Sequence, residues 1–97
     1  MLFVAVLGAW PVPADAAAEG RALAQKLCAR CHAIDPDAPW NSIGSTPSFM
    51  LMAKKLERYE QRILTVTSRR PHIAQRFSVS EDDLERILAY IRTLKRD

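Results

Sequence analysis

The two cysteines of this chain sit three positions apart, and a histidine follows at once: Cys28-Ala29-Arg30-Cys31-His32. With 97 residues, the chain has room for one core and one domain. A chain this small buries a modest share of its surface and commonly needs a metal, a disulfide or a cofactor to hold it. Once these two thiols are used no disulfide is left over, so the staple is whatever they hold.

The pattern is C-x-x-C-H, the attachment site of a c-type haem. Thiols about one helical turn apart can both reach the vinyl groups of one porphyrin and form thioethers. An imidazole in the next position sits beside the ring plane and offers a nitrogen to the iron as proximal ligand. Three other readings account for less. A redox dithiol wants a nearby strand–helix–strand pattern, which this chain lacks. A structural zinc site needs four ligands, but the chain holds two Cys and two His, and His72 is remote in sequence. A Cys28–Cys31 disulfide suits an oxidising compartment but leaves His32 without a role. Haem c, one per chain and covalently bound, uses all three residues, and the chain without it is expected to be largely unfolded.

The formal net charge is +3, mildly basic, and no basic tract interleaved with aromatics appears, which argues against nucleic acid as a partner. Met1 to Ala9 is apolar, Pro11 and Pro13 follow, and Ala14-Asp15-Ala16 resembles an A-x-A cleavage site. Residues 1–16 therefore read as a signal peptide, cleaved after Ala16 or alternatively Ala18, and 17–97 as the mature domain. No Lys or Arg precedes Arg21, so either the true start lies upstream or the signal is weak. The apolar run is far shorter than the roughly 20 residues of a membrane span, and no span is expected in the mature chain. Attachment of c-type haem outside the cytoplasm agrees with export, to the periplasm in a bacterium.

Three helical segments are legible. The first runs from about Ala17 to Cys31, with Ala22, Leu23 and Leu27 at near-helical spacing; Gly20 near its start would let another helix come close. Pro36, Pro39, Gly44 and Pro47 mark 35–47 as loop. A second segment starts around Ser48 and runs through Phe49, Met52 and Leu56, with a break before Ile63, Leu64 and Val66. It ends at Arg69-Arg70-Pro71. The third is the clearest: Ser80 and Asp83 resemble a capping box, and Glu81, Asp82 and Asp83 suit the positive end of the helix dipole. Leu84, Ile87, Leu88, Ile91 and Leu94 form its apolar face, and Arg92, Lys95 and Arg96 close it.

In this order the pieces resemble a class I c-type cytochrome over nearly all of the mature length. Gly20 precedes the C-x-x-C-H element, Thr46-Pro47-Ser48-Phe49 looks like the proline loop that follows the haem site, and Leu88-Ala89-Tyr90-Ile91-Arg92-Thr93-Leu94 resembles the last helix. The resemblance implies an all-α fold of three to four helices around one haem. It implies that Gly20 packs near Tyr90 where the first and last helices cross. It also implies that a carbonyl near Pro47 accepts the second ring N–H of His32. Phe49, Met52, Leu56, Phe77 and Leu88 are candidates to line the haem pocket, and Trp40 either touches the haem edge or covers the loop.

The chain departs from that family at the distal ligand. A methionine is expected near Ala74, yet none occurs after Met52. His72, Met50 or Met52 could fill the position, or it could lack a strong protein ligand. His72 is favoured because imidazole is a good iron ligand and lies in the right loop, whereas flexible methionines more often fill core gaps. The reading that follows is a monohaem electron carrier, not an enzyme. Lys54, Lys55, Arg58, Arg69, Arg70 and Arg76 would steer acidic redox partners or simply solvate helix surfaces. The alternatives are a five-coordinate sensor or ligand-binding haem protein, and a haem module of a larger redox complex.

Overall fold

The computed structural model describes residues 14–40, 46–68 and 78–95. Four helices carry the fold: α1 (Ala14–Leu27), α2 (Phe49–Lys54), α3 (Leu56–Leu64) and α4 (Glu81–Thr93), with a 3-10 turn at Val66–Ser68. Among the described residues there is no strand, only an isolated bridge between Asp35 and Ala38. The all-α expectation holds.

Helix α1 begins earlier and ends earlier than its apolar spacing suggests. Alanines at 14, 16, 17 and 18 are the best helix formers, and Asp15 lies at the positive end of the dipole. At the other end the carbonyl of Ala24 accepts both the Cys28 N–H at 2.8 Å and the Ala29 N–H at 2.9 Å. This wide last turn takes the chain out of regular helix before Cys28. Both cysteines therefore sit on turns beyond α1, closed by the Cys31 and His32 N–H groups on Cys28 O at 3.0 and 2.9 Å.

Against α1 lies α4, its closest neighbour. The inner face of α1 is Gly20 and Ala24, both buried, with Leu23 and Leu27 half-buried, whereas Ala22 faces solvent. A Cβ on Gly20 would fall 1.8 Å from Arg86 O and 2.9 Å from Ile87 N. The contact is thus backbone on backbone, one turn before Tyr90. The missing side chain sets how closely the two helices approach. Arg86 covers the crossing, its Nε 2.7 Å from Glu19 and its Nη1 3.3 Å from Asp83.

The capping box is complete. Asp83 N–H donates to Ser80 Oγ at 3.0 Å and Ser80 N–H donates to the Asp83 carboxylate at 3.3 Å. Leu84, Ile87, Leu88 and Ile91 are buried along α4, and Tyr90 joins them, while Leu94 is only partly covered.

The second segment breaks at Lys55, not before Ile63. Lys55 has φ −124° and ψ 49°, and α3 continues through Ile63 and Leu64. No glycine or proline marks the site. Phe49, Met52, Ala53, Leu56, Glu60 and Ile63 would form one stripe on a straight helix. The bend lets α2 and α3 each pack on α4, so tertiary packing decides it. Helix α3 ends at Leu64, ahead of Arg69. Thr65, Val66 and Thr67 are β-branched and fit a helix poorly, and the Thr65 hydroxyl donates back to Gln61 O at 2.8 Å.

Candidate functional site

Cys28, Cys31 and His32 follow the end of α1, Cys28 packing on the apolar core and the His32 ring lying near Phe49. Both cysteines are free, half-buried thiols, and Cys28 packs against the core cluster that contains Ala24, Phe49, Leu88 and Ile91. Burial, helped by the neighbouring Cys31, pushes the Cys28 thiol up to about 11. A working redox dithiol needs a thiolate at neutral pH, so the protein environment here runs against that chemistry. Among the described residues no three His, Cys, Asp or Glu side chains converge as a metal site.

From Cys31 to Asp35 each residue is held by another part of the chain. Thr46 Oγ1 donates to Cys31 O at 2.6 Å. His32 Nδ1 lies 2.6 Å from Pro47 O, a carbonyl that can only accept, so Nδ1 carries the proton. Phe49 N–H donates to Ala33 O at 2.8 Å, and Tyr90 Oη donates to Ile34 O at 2.6 Å. Arg21 Nη2 meets the Asp35 carboxylate at 2.6 Å. Asp35 also accepts the Asp37 N–H at 2.9 Å, and these two donors, Asp37 first, hold its carboxyl below the usual carboxylate range. Three of the four helices thus contribute to one five-residue segment.

The rings follow the same path. His32 and Phe49 have centroids 6.0 Å apart, tilted by 46°, and Phe49 and Tyr90 lie 6.4 Å apart at 52°. Phe49 is 3 % exposed and Leu88 fully buried. They belong to the apolar cluster on which Cys28 packs, next to an imidazole that donates from Nδ1; together with Cys31, this donor set suits a large, flat apolar group bearing a metal.

The residues proposed for the pocket divide. Phe49, Met52 and Leu88 are buried and Leu56 is half-buried; Phe77, His72, Arg69, Arg70 and Arg76 lie outside the described residues. Met52 sits in the core and Met50 packs against it. Trp40 is 77 % exposed and covers little of the loop. Lys54, Lys55 and Arg58 are exposed.

Two features of the site escape sequence reading. Tyr90 looks like plain helix packing until its hydroxyl is seen on Ile34 O, 56 positions away. Thr46 is a polar residue in a loop, and nothing in its neighbours announces a bond to Cys31. The proline that follows is the one local hint, because it fixes the backbone from which the bond is made.

No match was found among curated proteins, and none among solved structures. The family model for cytochrome c matches residues 17–95, from the first turns of α1 past the end of α4. Members of that family are haem-binding electron carriers with covalently bound haem c. On this match, which spans most of its length, the chain belongs to the cytochrome c family.

Proposed function

We propose that this protein is an exported monohaem electron carrier. In this reading residues 1–16 direct export, 17–97 form the haem domain, Cys28 and Cys31 are its thioether attachments and His32 is the proximal iron ligand. The observation that carries the reading is the 2.6 Å bond from His32 Nδ1 to Pro47 O. It fixes the tautomer, so Nε2 is the nitrogen that would bind a metal, and a carbonyl partner on Nδ1 would raise the basicity of the ligating imidazole.

When bound, the haem supplies an iron that gains and loses one electron. The chain does the rest. The two sulfur atoms would hold the group so that it cannot dissociate, and Pro47 O would keep the imidazole from turning. Phe49, Met52 and Leu88, all buried, would exclude water from the group, and that would lower the local dielectric and help set the potential. A segment tied at each residue from Cys31 to Asp35 changes little between charge states, which suits a carrier better than an enzyme.

His72 is the proposed distal ligand, since Met52 is already committed to the core and Met50 packs on it. Histidine in place of methionine would lower the potential. Lys54, Lys55 and Arg58, exposed on α2–α3, would steer acidic redox partners, with an on-rate that falls as salt is added.

The test begins with the mass of exported, mature protein, which should exceed the polypeptide by one haem; acid extraction should leave the colour with the protein. The ferric spectrum should be low-spin in the parent and altered in His72→Ala, while Met52→Ala keeps it low-spin. A bare polypeptide mass ends the haem assignment, and an unchanged His72→Ala spectrum ends the distal one.

A further inference from the structure

Two hydrogen bonds of opposite sense join adjacent residue pairs on two separate segments. Thr46 gives a side-chain donor to the backbone of Cys31, and His32 gives a side-chain donor to the backbone of Pro47, each at 2.6 Å. The two bonds close a ring through the Cys31–His32 and Thr46–Pro47 peptides. Few torsions in that ring are soft. Proline fixes its own φ and has no N–H, the residue before proline is held to extended backbone, and a β-branched threonine is stiff at χ1. The position of the Thr46 hydroxyl therefore constrains where the Pro47 carbonyl points. On the far side Phe49 N–H is tied to Ala33 O at 2.8 Å, so the Pro47 carbonyl is held from both directions.

We propose that Thr46 is a positioning residue for His32: its hydroxyl, anchored on Cys31 O, aims the Pro47 carbonyl at Nδ1 and so keeps the imidazole a strong electron donor. This rests on the haem assignment above, with His32 as a metal ligand. A bond to the second nitrogen of a ligating histidine raises its basicity, which favours the more oxidised metal. Removing the Thr46 hydroxyl frees one side of the Pro47 carbonyl, weakens the bond to Nδ1 and favours the reduced state.

Haem-loaded parent, Thr46→Val, Thr46→Ser and Ser80→Ala proteins test this, with covalent loading of each checked by mass. Thr46→Val keeps the shape and loses the donor. Its reduced form should gain at least threefold in the one-electron equilibrium, about 30 mV upward at 59 mV per tenfold. The His32 Nδ1–H of the ferrous protein, followed by NMR, should exchange at least tenfold faster. Thr46→Ser should restore both values. Ser80→Ala weakens the cap of α4, far along the chain from this clamp, and should lower the denaturant midpoint without moving either value. If the valine variant does not retain haem, Thr46→Ala is read in its place. A loaded Thr46→Val protein with the potential and exchange rate of the parent overturns the proposal while leaving the haem assignment intact. So does a Ser80→Ala protein that moves both values equally. A parent with the bare polypeptide mass overturns the two together.

Discussion

Tyr90 shows how much one polar atom decides at the scale of a residue. Its ring is buried beside Phe49 and its hydroxyl donates to Ile34 O at 2.6 Å. Tyr90→Phe would keep the ring and leave a carbonyl short of its donor two residues beyond His32. An orphaned buried acceptor costs about 1–3 kcal/mol, so the denaturant midpoint of the haem-loaded protein should fall accordingly. A midpoint equal to the parent's would show that water replaces the hydroxyl. Cys28 makes a second point at this scale. A thiol raised to about 11 stays protonated in the folded chain above its ordinary value near 9.0. The unfolded chain then releases the proton first, so this stabilisation is complete below pH 9 and is lost as pH rises toward 11. Once the sulfur is a thioether it cannot titrate, so whatever folded population the unloaded chain holds should fall between pH 9 and 11, while the loaded protein shows no such loss from this group.

Among the elements, the α1–α4 crossing carries the tightest constraint. Arg86 O lies where a Cβ of Gly20 would be, and backbone cannot yield as a side-chain tip can. Gly20→Ala must push the helices apart and loosen Leu23, Ala24 and Leu88 with them. Overpacking of this kind costs about 1–3 kcal/mol or more, read as a lower melting temperature of the loaded protein. Ser80→Ala, by contrast, removes half of a capping box and should cost about 1 kcal/mol by the same measurement. Helix α4 was the element most legible in sequence because its signals are local: a cap, three acids in its first turn and an apolar stripe of period 3.6. Lys55 was illegible for the converse reason. Its neighbours continue the stripe without a glycine or proline, and the bend exists because α2 and α3 must both reach α4.

For the whole molecule, the described helices are short and enclose a small core. Twelve apolar residues are buried among those described, of which Leu88 and Ile91 are the largest fully buried side chains. A short chain with a single core commonly leans on a cofactor as its staple. The variant Cys28→Ala/Cys31→Ala, unable to hold haem covalently, should therefore show much of its far-UV helical signal lost at 25 °C. A fully helical, cooperatively melting double variant would mean that the polypeptide core suffices. What the chain order determined alone was everything written in neighbouring positions: the C-x-x-C-H element, the caps, the apolar periods and hence an all-α family. The tertiary structure alone decided the bend at Lys55, the early exit from α1 and, apart from the His32–Pro47 bond that the family resemblance implies, the bonds that pin Cys31 to Asp35. Those bonds join residues between 14 and 56 positions apart. A partner that distant leaves no period in the sequence, because it is chosen by how helices cross and not by what stands beside it.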